Sequence, residues 1–262
     1  MAAATIDTDK VEASLVREHF STATDKDVDI FNRDAAQQNG YGYTLAKQLS
    51  SRLATARSAD EVLRLGDFRN CSLLDVGCGD GYFTIQYRDR GKPIRITALD
   101  AAPEALKVAE KAAGKTPITF IVADGVHLPY RDDSFDVVLL QSILHHAADP
   151  ATIVQESFRV APRVVIHDPN GNNLGLKLIE KTSRYHIDHN ERSYRPHLLR
   201  KWVKDAGGVV IADGFSGFVP MFCPDFVARL MKSVEGLLEA TPIARALGCS
   251  VYTMVGQRQQ SS

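Results

Sequence analysis

The sequence predicts an α/β protein in which helices cover both faces of a doubly wound parallel sheet. Short runs rich in β-branched residues alternate with longer helical patterns from residue 72 onward. This alternation is typical of strand–helix–strand units, whose successive strands run parallel. A chain of 262 residues also has enough material to bury a sizeable core. The predicted strands are 72–77, 94–100, 118–124, 135–140, 163–168, 209–216 and 249–258.

Helices are predicted between and after these strands. The segments 102–113 and 149–161 carry apolar residues at helical spacing. Pro103 and Pro150 lie in their first turns, where a helix tolerates proline. A further helix is predicted at 196–208, which ends in two glycines.

Composition and charge are those of an ordinary globular protein. The formal net charge of -1 gives no global positive field that would draw the chain to nucleic acid or an acidic membrane. The four cysteines are scattered without a CxxC pair, which is typical of a reducing compartment. The first residues lack the pattern of a secretory signal, and no apolar run reaches the ~18 residues of a membrane span. We expect a cytoplasmic protein with no membrane span and no nucleic-acid partner.

A glycine-rich segment follows the first predicted strand. In LLDVGCGDGYFT (73–84), three glycines stand at alternate positions, with Asp75 before them and Asp80 among them. Two further acids, Asp100 and Asp124, end the second and third predicted strands. Ligands of an open parallel sheet bind at the carboxyl ends of its strands, and an acid about 20 residues beyond the loop can bind both ribose hydroxyls. The sequence therefore predicts a nucleoside site.

The bound nucleoside is not expected to be a dinucleotide. A pyrophosphate beside Asp75 and Asp80 would bring like charges together, at a cost of about 1 kcal/mol or more per pair. The third glycine of a dinucleotide-binding GxGxxG motif would fall on Tyr82. S-adenosylmethionine fits better, because it carries a sulfonium and an ammonium group and no phosphate. An NAD-dependent oxidoreductase remains as an alternative that these residues disfavour.

Four stretches of the chain resemble the successive motifs of class I S-adenosylmethionine-dependent methyltransferases. They are most similar to the small-molecule branch that includes the ubiquinone and menaquinone C-methyltransferases. The resemblance covers roughly residues 70–170 and implies a Rossmann-like, three-layer αβα fold with seven strands, of which the last, 249–258, is antiparallel. The four stretches are LLDVGCGDGYFT, ITALDAAPEAL, FIVADGVHLPYRDDSFDVVLLQSILHH and DPATIVQESFRVAPRVVIHDPN.

The resemblance also implies cofactor-binding roles, residue by residue. Gly77 and Gly79, with the backbone of Cys78 between them, would lie against the methionine part of S-adenosylmethionine. Asp75 would help to hold its ammonium group, and Asp100 would bind the ribose. Ala101 would lie against the adenine, and Asp124 and the backbone of Gly125 would lie at the adenine amino group. The backbone carbonyl of Gln141 would line the sulfonium end.

The less family-like parts of the chain are expected to enclose the acceptor. Residues 1–66 are predicted to form a helical region that covers the active site, with 40–56 as its clearest amphipathic stretch. Residues 67–262 would form the methyltransferase domain, with helical insertions at 171–194 and 214–248. The two parts are expected to make a single folding unit.

Histidines are frequent in the second half of the chain. An acceptor of high pKa needs a base, and histidine suits neutral pH. We hypothesise that His146, His167 or His186 deprotonates or orients the acceptor; a structural role is the alternative for His146. The segments HIDH and HD are compatible with a metal site, but metal-dependent catechol-type methyltransferases place an acid where this chain has Gln141. No metal ion is therefore expected.

The acceptor is expected to be a small molecule, apolar or carrying an acidic group, that is methylated on oxygen or carbon. Enzymes that methylate amino groups of nucleic acids or proteins typically carry an Asn/Asp-Pro-Pro-Tyr-like segment after the fourth strand, where this chain reads LQSILHH. The apolar segment 215–248 is interpreted as core packing, an acceptor pocket or a homodimer face. The other alternative is a protein that binds S-adenosylmethionine or S-adenosylhomocysteine without transferring methyl groups.

Overall fold

The computed structural model describes residues 25–45, 47–184 and 191–259. Within them, helices flank both faces of a seven-stranded sheet. The strands are β1 (Ser72–Val76), β2 (Arg95–Asp100), β3 (Thr119–Val122), β4 (Val137–Gln141), β5 (Arg163–Pro169), β6 (Gly208–Ser216) and β7 (Val251–Arg258). The described α-helices are α1 (Asp25–Gln38), α2 (Gly42–Leu45), α3 (Leu49–Gly66), α4 (Tyr82–Gln86), α5 (Pro103–Ala113), α6 (Pro150–Val160), α7 (Leu174–Thr182), α8 (Pro196–Asp205), α9 (Asp225–Ala240) and α10 (Pro242–Gly248).

The sheet has the strand order β3-β2-β1-β4-β5-β7-β6. β1 pairs in parallel with β2 and β4, whereas β7 runs antiparallel to both β5 and β6. The predicted doubly wound sheet of seven strands with an antiparallel last strand is therefore confirmed. Because the strand order reverses between β1 and β4, the carboxyl ends of these strands form the switch point at which ligands of such sheets bind.

Side chains that alternate along the strands build one hydrophobic layer on each face of the sheet. Leu73 of β1 is buried in a cluster with Val62 of α3 and with Tyr87. The next residue, Leu74, packs on the opposite face in a larger cluster that includes Phe158 of α6. The central strands are buried on both faces, which explains why their sequences read as nearly continuous apolar runs.

The helices between the strands agree closely with the sequence pattern. α5 and α6 occupy the two segments predicted for them, and each begins at its proline. Asp149 caps α6, because its Oδ1 accepts a hydrogen bond from Thr152 N at 3.1 Å. The helix predicted at 196–208 is shorter than expected: α8 ends at Asp205, and the second of the two glycines already begins β6.

The amphipathic stretch 40–56 is not one helix. α1 ends before Asn39 and Gly40, whose φ angles of 55° and 137° lie in the left-handed region. α2 is a single turn, and α3 begins at Leu49 and continues beyond residue 56. Asn and Gly tolerate positive φ, so these two residues make the turn that separates α1 from the stretch, and the stretch itself is divided between α2 and α3.

The two predicted insertions carry helices. α7 lies within 171–194, and α9 and α10 lie within 214–248. The division of the chain into residues 1–66 and 67–262 stays a prediction. None of the helices in the described part of the chain combines the length and the apolar character that a membrane crossing would require.

Candidate active site

The loop between β1 and α4 requires glycine for its backbone and for its close contacts. Gly77 and Gly79 have φ angles of 75° and 56°, in the left-handed region that glycine adopts without the steric cost of a Cβ. A Cβ on Gly77 would lie 2.6 Å from Cδ1 of Ile143, and one on Gly79 would lie 2.7 Å from the ring of Tyr41. The loop is therefore held between the turn that follows β4 and the N-terminal region.

The backbone amides of this loop are hydrogen-bonded within the protein. Gly77 N and Cys78 N both donate to the carbonyl oxygen of Leu99, at 2.8 and 3.0 Å. Gly79 N donates to Oδ2 of Asp100 at 2.8 Å. A pyrophosphate would need free amides at such a loop. These three amides are already used and cannot serve it.

Asp100 ends β2 and connects the glycine loop to α5. Its Oδ1 accepts a hydrogen bond from Ala102 N at 2.8 Å, and its Oδ2 accepts the one from Gly79 N. A carboxylate has about four lone-pair sites, so part of its accepting capacity remains for a ligand. Burial raises the pKa of Asp100 above its ordinary value, although backbone hydrogen bonds from Ala102, Gly79 and Ala101 favour the charged form. This geometry suits a pair of neighbouring hydroxyl groups.

Asp75 lies beneath the loop and is only 3% exposed. Its Oδ2 accepts a hydrogen bond from the Thr84 hydroxyl of α4 at 2.6 Å. Burial, together with the like charge of Asp100, raises the pKa of Asp75 to about 7, although the hydrogen bond from Thr84 acts in the opposite direction. The carboxyl group is therefore poised to change its charge near neutral pH.

Gln141, at the end of β4, carries a buried donor. Its Oε1 accepts a hydrogen bond from the hydroxyl of Tyr87. Its Nε2 is buried and has no hydrogen-bond partner among the described residues. An unsatisfied buried donor is costly, so this amide suits an acceptor atom of a ligand.

Asp80 faces the N-terminal region. Its Oδ2 accepts hydrogen bonds from Tyr41 N, at 3.0 Å, and from the hydroxyl of Thr44. Its Oδ1 accepts one from Tyr82 N at 3.2 Å. From the sequence we expected an acid beside the ligand. In the structure its carboxylate joins the loop to Tyr41 and to Thr44 of α2.

The remaining predicted cofactor residues lie at the same edge of the sheet. Ala101 directly follows β2 and is partly exposed. Asp124 follows β3, and its Oδ1 accepts a hydrogen bond from Val126 N at 3.1 Å. Gly125 is buried, and a Cβ there would lie 3.1 Å from Val76. The structure brings these residues together with the loop, and their cofactor roles stay predictions.

The three histidines predicted as bases have different surroundings. His146 is partly exposed in the turn after β4, and its ring lies 4.9 Å from that of Phe31 of α1, centroid to centroid. His167 is 1% exposed, its Nδ1 lies 2.7 Å from Oγ1 of Thr253, and burial lowers its pKa to about 4. His186 lies outside the described residues.

A further group of polar residues was not predicted from the sequence. His145 is buried in the same turn, with its Nδ1 2.9 Å from Oδ1 of the fully buried Asp168. One possible ligand atom from each of His145, His146 and Glu191 lies within 4.8 Å of the others. In the sequence, the HD segment (167–168) had indicated Asp168 as a possible polar residue of the site. Its partner is His145 and not the adjacent His167.

The seven-stranded sheet with antiparallel β7 is the fold of class I S-adenosylmethionine-dependent methyltransferases. Residues 74–163 match the family described as the methyltransferase domain. The resemblance noted in the sequence is thereby confirmed.

Two named relatives are similar to part of the chain. Norajmaline N-methyltransferase from Rauvolfia serpentina is 33% identical over 128 residues, which are 45% of this chain and 44% of that protein. Demethylmenaquinone methyltransferase from Lactococcus lactis is 32% identical over 106 residues, which are 39% of this chain and 42% of that protein. The chain thus matches less than half the length of either relative.

A solved structure extends the likeness to most of the fold. The magnesium protoporphyrin IX methyltransferase (ChlM) from Synechocystis PCC 6803, with bound SAH, superposes with a TM-score of 0.62. The match covers 88% of this chain and 99% of that chain at 14% sequence identity. At this identity the likeness establishes the fold alone.

Proposed function

We propose that the protein transfers a methyl group from S-adenosylmethionine to an oxygen or carbon of a small-molecule acceptor and releases S-adenosylhomocysteine. The main support for this proposal is the hydrogen bonding of the glycine loop. The amides of Gly77, Cys78 and Gly79 are used within the protein, while Asp75 and Asp100 stand next to them. Such a site disfavours a pyrophosphate and favours a nucleoside with positive charge.

The residues at the site fit this cofactor. Asp100 would bind the two ribose hydroxyls through its remaining lone pairs, and Asp124 would accept from the adenine amino group. Asp75 would hold the ammonium group in its charged form. The buried Nε2 of Gln141 offers a donor near the predicted sulfonium end, where the carboxylate of the methionine part is an acceptor.

The proposal of a small acceptor is supported by the segment after β4 and by the relatives. That segment lacks the Asn/Asp-Pro-Pro-Tyr-like pattern of enzymes that methylate amino groups of nucleic acids or proteins. The relatives reported above are named for norajmaline and demethylmenaquinone, and the first is an N-methyltransferase. Identification of the product therefore has to include nitrogen as a methylated atom.

Methyl transfer is an in-line displacement, so the protein mainly positions the acceptor and excludes water. The bond between methyl carbon and sulfur breaks as the bond to the acceptor forms, and its electron pair stays on sulfur. Among the predicted histidines that the structure describes, His146 is the better placed to orient the acceptor or accept its proton. His167 is buried, and its lowered pKa makes it a weak base at neutral pH.

Calorimetric titration tests the cofactor. We expect S-adenosylmethionine and S-adenosylhomocysteine to bind, and NAD not to bind at the same concentration. Asp100→Asn should weaken the binding of S-adenosylhomocysteine at least tenfold, or by about 1.4 kcal/mol. Asp89→Asn, at an exposed acid, is the matched control and should leave the affinity unchanged. A bound dinucleotide, or unchanged affinity in a folded Asp100→Asn variant, would overturn the proposal.

Turnover tests the reaction. The protein is incubated with methyl-labelled S-adenosylmethionine and a metabolite extract, and we expect the label to appear in a small molecule. Full turnover in His146→Gln, His167→Gln and His186→Gln alike would reject histidine as base or orienting group. Cofactor binding without transfer to any extract would instead favour the alternative of a binding protein.

A further inference from the structure

We propose that His145, His146 and Glu191 bind a divalent transition-metal ion at the acceptor side of the site. Their candidate ligand atoms lie within 4.8 Å of one another. Nitrogen and oxygen ligands about 2.0–2.2 Å from a zinc ion are at most ~4.4 Å apart. A small rotation of the partly exposed His146 and Glu191 side chains is therefore enough to close the coordination shell. Two imidazoles and one carboxylate are a donor set of catalytic zinc and non-haem iron sites.

Asp168 prepares His145 to act as a ligand. Its Oδ1 lies 2.9 Å from Nδ1 of His145. A proton on Nδ1, donated to this carboxylate, leaves the lone pair on Nε2 for a metal ion. A carboxylate in this position is the common partner of metal-bound histidines, since it fixes the tautomer and orients the ring.

The same carboxylate is only partly compensated within the protein, by hydrogen bonds from the backbone of His145 and Leu144. Asp168 is fully buried, and its Oδ2 has no hydrogen-bond partner among the described residues. A buried carboxylate is costly unless a positive charge or further hydrogen bonds offset the lost hydration. A cation bound by His145 would place positive charge one imidazole ring away from Asp168.

The backbone that carries Glu191 is fixed against the histidine turn. Arg192 N donates to the carbonyl oxygen of His145 at 3.1 Å. Two residues further on, the carbonyl oxygen of Tyr194 accepts a hydrogen bond from Gly171 N at 3.0 Å. The backbone that follows the third ligand is thus held by two main-chain hydrogen bonds, and such support helps to preorganise a metal site.

The cluster lies beside the predicted cofactor loop. Ile143, which precedes it in the same turn, is the residue that a Cβ on Gly77 would strike. The ring of His146 contacts the ring of Phe31. The ring centroid of Phe31 lies 6.0 Å from that of Tyr41, and the Tyr41 ring packs against Gly79 of the loop. Three protein ligands leave at least one position open. The next step rests on the proposed function. The open position binds an oxygen or nitrogen of the acceptor, and His146 thereby orients the acceptor through the ion.

This assignment differs from the expectation of a metal-free site. That expectation depended on Gln141, a neutral residue at the end of β4 where metal-dependent catechol-type enzymes have an acid. The three ligands proposed here lie beyond β4, in the turn that follows it and in the segment after residue 190. Only the folded chain brings them together.

Zinc binding by the untagged chain tests the site. Calorimetric titration with zinc chloride should give one equivalent, and cobalt(II) should develop visible absorption bands of nitrogen coordination. Glu191→Gln and His146→Gln should each weaken zinc binding at least tenfold. Asp168→Asn should weaken it about 10- to 100-fold, as removal of such supporting carboxylates does. His197→Gln removes an exposed histidine elsewhere and should have no effect.

The outcomes separate the metal site from the proposed function. Because Glu191 and His146 are partly exposed, their variants should fold, and circular dichroism checks that they do. The absence of zinc binding, or zinc affinity that both variants leave unchanged, would overturn the metal site. S-adenosylhomocysteine is titrated into the same samples. If the chain binds S-adenosylhomocysteine but not zinc, only the metal site is overturned. If it binds zinc but not S-adenosylhomocysteine, only the proposed function is overturned.

Discussion

The carboxylate of Asp80 holds the backbone of Tyr41 against the glycine loop, with Tyr41 N donating to its Oδ2 at 3.0 Å. The hydroxyl of Thr44 donates to the same oxygen, and the ring of Tyr41 lies over Gly79. Asp80 is only 7% exposed. The N-terminal region and the loop after β1 therefore depend on each other, and any ligand of the loop binds next to both.

Asp80→Ala should lower the free energy of unfolding by about 2–3 kcal/mol, because it leaves the amides of Tyr41 and Tyr82 and the hydroxyl of Thr44 without their charged acceptor. Thr44→Val removes only one of these hydrogen bonds and should cost about 1 kcal/mol. Urea unfolding measures both. Asp89→Ala, at an exposed acid, is the control and should stay within about 0.5 kcal/mol of the wild type. An Asp80→Ala protein as stable as this control would contradict the link.

Gly79→Ala should destabilise the protein more than Gly207→Ala. The φ angles of 56° and 79° both lie in the left-handed region, so each substitution carries backbone strain of roughly 1–2 kcal/mol. A Cβ at residue 79 also meets the Tyr41 ring at 2.7 Å, whereas one at residue 207 meets no atom within 4 Å. The difference in unfolding free energy between the two variants measures the contact with Tyr41.

The same comparison is repeated in a protein that carries Tyr41→Ala, which removes the ring that a Cβ at residue 79 would meet. Without the ring, Gly79→Ala should cost no more than Gly207→Ala. An excess cost of Gly79→Ala that persists in the Tyr41→Ala background would mean that the ring does not limit this position. Unfolding by urea is followed in all four variants under the same conditions.

The sheet could be predicted from the sequence because its strands are local and buried. The run predicted at 135–140 is observed as β4 at Val137–Gln141, and the run at 163–168 is observed as β5 at Arg163–Pro169. Continuous apolar residues mark such strands whatever their neighbours are. The break between α2 and α3 inside the stretch 40–56 was missed, since Leu45 and Leu49 on its two sides keep a helical spacing of four residues.

The candidate site was predictable only where it follows the strands. Asp75, Asp100 and Gln141 sit at strand ends, and strand ends of a parallel sheet meet at one edge. The partners of Asp80 and of Asp168 could not be read in the same way. Tyr41 and His145 reach these acids from a turn and from a loop, and their positions depend on tertiary packing that no local pattern encodes.

The affinity for S-adenosylhomocysteine should fall as the pH is lowered from about 8 to about 6. Burial raises the pKa of Asp75 to about 7, so the carboxylate proposed to hold the ammonium group becomes neutral across this interval. The loss approaches tenfold per pH unit well below that pKa. Calorimetry at several pH values measures it. Asp75→Asn should bind more weakly at the upper end and show a flatter profile; parallel profiles would show that Asp75 does not bind the ammonium group.

His167 should make the protein less stable as the pH falls below about 6.5. In the unfolded chain its pKa has the ordinary value of 6.5, whereas burial lowers the folded value to about 4. Between these values the unfolded state binds the extra proton, so this contribution to stability is complete above pH 6.5 and is lost toward pH 4. The slope is at most about 1.4 kcal/mol per pH unit.

The effect of His167 has to be measured as a difference between variants, because Asp75 titrates in the opposite sense. The raised pKa of Asp75 makes the folded state bind the extra proton, so its contribution decreases as the pH rises toward 7. His167→Gln removes the pH-dependent contribution of this histidine to stability and leaves that of Asp75 in place. The unfolding free energy of the wild type relative to His167→Gln should therefore fall from pH 6.5 to pH 4.5, while relative to the exposed His197→Gln it should stay nearly constant. A pH-independent difference for His167→Gln would mean that this imidazole is not held neutral by burial.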